Sequence, residues 1–149
     1  MCHLPNGMEE IKISAPVDRV WRFLDDMNQW APLIPGYIEH EVANEKQFTW
    51  KFRADLGVIQ KNIEMQVDIV ERSENSKVAF KLQGLNENLE GNGYFQLKEV
   101  DRESTDLTGY LDMSGKGMMG SVMNSMMKSY VPQTVRDLTV AVGEKLQNS

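Results

Sequence analysis

Between Tyr37 and Met113 apolar side chains return at every second position. Phe48, Trp50, Phe52 and Ala54 alternate with Thr49, Lys51 and Arg53. Ile63, Met65, Val67 and Ile69 alternate with Asn62, Glu64, Gln66 and Asp68. Val78, Phe80 and Leu82 repeat the pattern, as do Phe95 with Leu97, and then Leu107, Leu111 and Met113. A period of two places one set of side chains on one face of a strand, so each run predicts a half-buried strand. Turn-forming stretches separate the runs at Ala43–Glu45, Asp55–Gly57, Ser73–Ser76, Asn86–Gly93 and Asp101–Ser104. About six consecutive strands with short turns predict an antiparallel meander with one apolar face.

The flanking segments keep a different period. Met8–Ser14 alternates and predicts a first strand, which Ala15-Pro16 ends. Val17, Val20, Trp21 and Leu24 then recur at steps of three and four, predicting an amphipathic helix over Val17–Met27 with Pro16 at its first turn. The two prolines in Asn28–Gly36 allow only a short broken helix there. From Met118 to Leu146 the apolar positions Met119, Val122 with Met123, Met126 with Met127, Tyr130 with Val131, Val135, Leu138, Val142 and Leu146 describe one long helix. Pro132 should kink that helix without ending it. Its apolar stripe needs a partner, and the apolar sheet face is the large one available. The prediction is a single α+β domain over residues 1–149: a curved antiparallel sheet of about seven strands around a long C-terminal helix. Two short helices join strands one and two.

Composition narrows the function. The chain has 149 residues and a net charge of −6, which argues against a dedicated nucleic-acid binder. Residues 1–45 hold three basic and eight acidic side chains, so that part suits an anionic lipid surface poorly. The single cysteine, Cys2, forms no internal disulfide. No signal-like segment or membrane span is legible, and the expected compartment is the cytoplasm.

Several motifs resemble those of a known family. They are Ala15-Pro-Val-Asp-Arg-Val-Trp21, Leu33-Ile-Pro-Gly36, Leu56-Gly-Val-Ile59 and Gly115-Lys-Gly-Met-Met-Gly120. With the order of elements they resemble the START-like, helix-grip superfamily, which includes polyketide cyclases and lipid-transfer domains. Within it they resemble the carbon monoxide dehydrogenase G-subunit family most. The resemblance spans nearly the whole chain. It implies a hydrophobic-ligand carrier or accessory protein, with the namesake linked to a molybdenum hydroxylase and to the membrane. Some members carry a further C-terminal membrane-attachment segment. This sequence ends at Ser149 directly after its helix, so direct anchoring is not expected.

Six of the ten methionines fall between Met113 and Met127. Such a stripe is either plain core or the adaptable wall of an apolar pocket, and any exposed part of it marks a protein or membrane contact. The pocket reading takes Trp30, Trp50, Phe52, Met65, Phe80, Phe95, Leu111, Met113, Met119, Met123, Met127 and Tyr130 as lining. Lys61, Tyr110 and Tyr130 are candidate polar anchors. Gly115, Gly117 and Gly120 form the turn at the entrance, together with Trp30 and the methionines. Lys61 is in phase with Ile63 and Met65. It either faces inward or is turned out by a bulge after Gly57. The ligand expected is a small or elongated apolar molecule, lipid-like, quinone-like or polyketide-like, with a redox enzyme as a candidate protein partner.

Catalysis has less support. His3 lies near the terminus and His40 reads as a solvated edge residue. Glu99 reads as a solvated strand end. The absence of a Cys-x-x-Cys or His-Glu-x-x-His set argues against a dedicated metal site, and no cofactor is expected. Gly115-x-Gly117-x-x-Gly120 matches a dinucleotide fingerprint in letters, but that motif needs a βαβ unit and no strand is predicted after the helix. Two other readings stay open: a polyketide cyclase-like enzyme, and an interaction protein that binds no small ligand.

Overall fold

A computed structural model describes residues 5–148; Cys2 and His3 lie outside them. The chain runs β1 (Asn6–Ile13), α1 (Val17–Leu24), α2 (Met27–Trp30), a single 3-10 turn (Ala31–Leu33), β2 (Tyr37–Asn44), β3 (Gln47–Asp55), β4 (Gln60–Ser73), β5 (Lys77–Gly84), β6 (Leu89–Asp101), β7 (Ser104–Gly115) and α3 (Gly120–Gln147). The strands form one antiparallel sheet in the order β1-β7-β6-β5-β4-β3-β2. β2 to β7 are a meander, as the alternation predicts. β1 and β2 are neighbours in sequence but opposite edges in space, and α1 and α2 carry the chain between them.

The first helix stops at Leu24, short of the expected Met27, and a second begins at Met27 itself. Asp25 closes α1 by donating its backbone N–H to the Trp21 carbonyl, and the Asp26 side chain then accepts from the Asn28 N–H at 3.0 Å. An aspartate at that position satisfies an amide that a continuing helix would otherwise pair, so it starts a new turn. The break turns Trp30 inward. Its side chain is fully buried, and its indole N–H donates to the Leu24 carbonyl at 3.0 Å. The rings of Phe48, Trp50, Phe80 and Phe95 surround it at centroid distances of 5.6, 5.7, 5.4 and 5.3 Å. The Trp50 indole in turn donates to the Ala31 carbonyl at 2.8 Å.

α3 packs chiefly on β1 and β7. Met127, Val131, Val135, Leu138, Val142 and Leu146 are its buried apolar stripe. The approach to β7 is close enough that a Cβ on Gly109 would lie 2.0 Å from the Thr139 hydroxyl oxygen, so only glycine fits there. At its far end the helix is tied to α1, with Arg19 donating to the Leu146 carbonyl at 2.5 Å.

Removing the central indole should leave a void that the surrounding rings fill only in part. Trp30→Ala is expected to lower unfolding free energy by about 3–5 kcal/mol, read from urea denaturation. A loss below about 1 kcal/mol would show that the ring box does not hold the fold together.

Candidate functional site

The strands and α3 enclose very little empty space. The hollow between them measures about 10 Å³, no more than one water molecule needs. Trp50, Phe52, Met65, Phe80, Phe95, Leu111 and Met113 line it, with Ile34, Val135 and Leu138. The Trp30 ring, expected at an entrance, occupies the middle of the aromatic cluster instead. Met127 is fully buried beneath α3. These residues are thus brought together in the core, with Trp50, Phe80 and Phe95 packed on the Trp30 ring.

The methionine cluster is split. Met113 and Met127 are core, Met123 and Met126 are half-buried, and Met118 and Met119 are exposed. Met119 precedes the first residue of α3, where the helix has passed the end of the sheet, so it cannot reach the interior. The glycine motif makes the junction compact: the Gly115 N–H donates to the Asn124 side chain at 2.7 Å, and the Gly120 N–H to the Gly117 carbonyl at 3.1 Å. With the sheet wholly antiparallel and α3 following, the βαβ context of a dinucleotide site is absent among the described residues.

Tyr110 borders the hollow, but its ring lies on the outer face of the sheet. It stacks on Tyr94 across the outer face at 5.0 Å, and its hydroxyl donates to Asp112 at 2.8 Å. Alternation along β7 is the reason: Leu111 and Met113 point in, so Tyr110 points out. Burial and that carboxylate push its hydroxyl up to about 12. Lys61 keeps the inward phase, because the register from Asp55↔Gln60 through Ala54↔Lys61 to Phe52↔Ile63 has no bulge. At the end of the strand, however, its amine leaves the interior and pairs with Glu87 at 3.0 Å. His40 is not a free edge residue. Its ring bridges the Tyr37 hydroxyl at 2.8 Å and the Asn28 side-chain oxygen at 2.7 Å, joining β2 to α2. Glu99 is exposed, as its place near the end of β6 predicts. No group of three His, Cys, Asp or Glu side chains stands close enough to hold a metal ion among the described residues.

The large concavity lies elsewhere. Because α3 leans toward β1 and β7, it stands off the ends of β3 and β4 and leaves an open groove of about 950 Å³. One wall is the β3–β4 turn with Asp55, Leu56, Gly57, Val58 and Gln60, and the other is the face of α3 from Ser125 to Asp137. About twelve residues of helix make that wall about 18 Å long. Two ridges at four-residue spacing form it: Ser125, Ser129, Gln133 and Asp137, and beside them Met126, Tyr130 and Thr134. Pro35 and Gly36 close one side. Gly36 has φ +76°, and a Cβ there would lie 2.1 Å from the Arg53 carbonyl oxygen, so glycine lets the loop cross β3.

Tyr130 is the polar centre of this wall. Its hydroxyl is buried and has no hydrogen-bond partner among the described residues, while the adjacent Thr134 hydroxyl donates to the Tyr130 carbonyl at 2.7 Å. Burial pushes the phenol up to about 12, against a smaller opposing effect of the neighbouring Thr134 hydroxyl. An unpaired buried hydroxyl costs roughly 1–3 kcal/mol, which a bound acceptor would recover. Sequence periodicity places Tyr130 on the apolar stripe, but it leaves Ser125, Ser129 and Gln133 on the solvated side of α3. Their regular four-residue spacing is the available signal.

A protein-family model matches residues 6–147. No curated protein matches the chain. Among solved structures, the fold is similar to Zhui aromatase/cyclase from a Streptomyces species, with a TM-score of 0.74 and 16% identity over 97% of this chain and 94% of that one. A START superfamily protein from Mycobacterium smegmatis gives the same score and identity over 96% and 97%. So does a conserved protein from Geobacillus kaustophilus, over 97% and 96%. These likenesses show the fold, and they do not show the narrower resemblance to the carbon monoxide dehydrogenase G-subunit family. With one family model spanning the strands and α3, and these structures superimposing along nearly their whole length, the chain has the START-like, helix-grip fold.

Proposed function

We propose that the protein is a non-enzymatic carrier that holds a small or elongated apolar molecule in the groove between α3 and the β3–β4 turn. The observation that carries this reading is the buried, unpartnered Tyr130 hydroxyl in the wall of a groove of about 950 Å³. Leu56, Val58 and Met126 supply apolar contact, and the flexible thioether adapts to ligand shape. Ser129 and Gln133 leave the outer side of the ligand in a polar setting. The interior set around Trp50, Phe52 and Phe95 serves as a rigid floor, since its own hollow of about 10 Å³ admits no ligand. The family resemblance adds an accessory role beside a redox enzyme to the proposal. An enzymatic reading would need a convergent acid or base, and the one lysine with a claim, Lys61, is held by Glu87.

A ligand with an acceptor oxygen on an apolar body suits this reading. A naphthoquinone, followed by tryptophan quenching, is the probe. It should bind saturably, and Tyr130→Phe should weaken it about five- to tenfold, the worth of one hydrogen bond. No saturable binding to the wild-type protein would overturn the carrier reading, and full affinity in Tyr130→Phe would remove the role of the hydroxyl.

The hydroxyl donates only while protonated. With its titration raised to about 12, affinity should stay flat between about pH 6 and about pH 10. A loss of affinity centred at or below the ordinary tyrosine value would contradict a buried donor.

A further inference from the structure

The outer face of the sheet, opposite α3, carries a second concavity of about 420 Å³ floored by β4 to β7. Register sets two rows of side chains across it. Asp68, Lys81, Asn92 and Asp112 stand directly opposite one another on successive strands. Gln83, Glu90 and Ser114 form the next row. All of them hold the outward phase, since Val67, Ile69, Leu82 and Met113 between them belong to the core.

Two of these outward side chains are buried nonetheless. Asp112 is 7% and Ser114 4% exposed, whereas Lys81, Glu90 and Asn92 are exposed. The Asp112 carboxylate accepts from the Asn92 N–H at 3.1 Å and from the Tyr110 hydroxyl at 2.8 Å. Among the described residues no cationic side chain pairs with it, and the Ser114 hydroxyl makes no hydrogen bond to any of them.

Charge across the cleft does not cancel. Its lining holds three carboxylates, on Asp68, Glu90 and Asp112, against two amines, on Lys81 and Lys116. Lys116 pairs with Glu90 at 3.1 Å, and Lys81 stands opposite Asp68, which also accepts from Gln47 at 2.8 Å. Lys77, further along this face, lies over the Tyr94 ring at 4.5 Å. The excess negative charge therefore falls on Asp112, the carboxylate that water reaches least. A buried carboxylate without a counter-charge is costly, and a cation supplied from outside relieves it.

We propose that this cleft binds a small molecule bearing one ammonium group on a hydroxyl-rich body. Alternate residues of a strand lie about 6.6 Å apart, close to the span of two hydrogen bonds of about 2.9 Å from one nitrogen. One ammonium therefore donates to both Asp112 and Ser114. The hydroxyls meet the exposed polar groups of Gln83, Glu90 and Asn92. A metal ion suits the cleft less well, since no three ligating side chains converge among the described residues. The cleft and the α3 groove lie on opposite faces of the sheet, so the inference does not depend on the carrier reading.

Glucosamine at about pH 6, where its amine is charged, is the probe, followed by amide chemical shifts of the isotope-labelled protein. It should bind saturably and move the signals of Asn92, Asp112 and Ser114 while leaving those of Ser129 and Tyr130 in place. Glucose, which lacks the amine, and N-acetylglucosamine, whose amide is uncharged, should bind at least about tenfold more weakly. Asp112→Asn should weaken glucosamine by about tenfold or more, and Ser114→Ala by about fivefold. Ser114→Ala should unfold in urea no earlier than the wild type, because its hydroxyl has no partner to lose. Lys81→Gln removes a like charge and should bind glucosamine about twofold more tightly. The proposal is overturned if glucosamine moves no cleft signal at millimolar concentrations, or if glucose binds equally well. Wild-type affinity in both Asp112→Asn and Ser114→Ala would also overturn it. Loss of binding in Lys81→Gln would do the same, by assigning the cleft to an anion.

Discussion

The arrangement of this molecule depends on the burial of one indole. Trp30 sits where the concave face of the sheet would otherwise need a ligand, a water cluster or a closer helix to fill it. Its ring meets four aromatic rings from β3, β5 and β6, and its N–H is satisfied within the same connection. A large side chain with one polar atom is stable there because both demands are met at once. With the centre filled, α3 has no reason to press across the whole sheet. It settles on β1 and β7, where glycine permits close approach, and leaves the β3–β4 end uncovered.

The groove follows from that placement. A helix drawn to one side of a curved sheet exposes the flank of its own stripe, so Met126, Tyr130 and Thr134 form the edge between core and surface. Tyr130 shows the result most clearly: burial raises its titration and deprives its hydroxyl of water without supplying a protein acceptor. Such a group costs stability for as long as it has no acceptor.

Helix-grip relatives bear on the fold and less on the chemistry. At 16% identity with an aromatase/cyclase, the shared part is the sheet, the long helix and their connection. What distinguishes this chain is how the space between them is used, and that rests on a few side chains: Trp30 inside, Lys61 held by Glu87 at the rim, and Tyr130 at the groove.

The alternation of apolar residues over β3 to β7 and the three-four spacing of α3 were legible in the sequence because periodicity is a local property. They sufficed for seven strands, two connecting helices and a long helix in their observed order. The aromatic set was legible as well, since Trp50, Phe52, Phe80 and Phe95 share the inward phase. The destination of Trp30 was not. It depends on Asp26 restarting a helix and on four rings distant in sequence converging on one point. Lys61 and Tyr110 show the same divide, for phase assigns a face but not whether a strand end lets the side chain swing to Glu87. Sequence by itself determined which faces are apolar, because side-chain period follows from backbone geometry. Only the tertiary structure decided that the protein's own tryptophan fills the grip and that the open space lies along α3, because packing is set by contacts that no local pattern encodes.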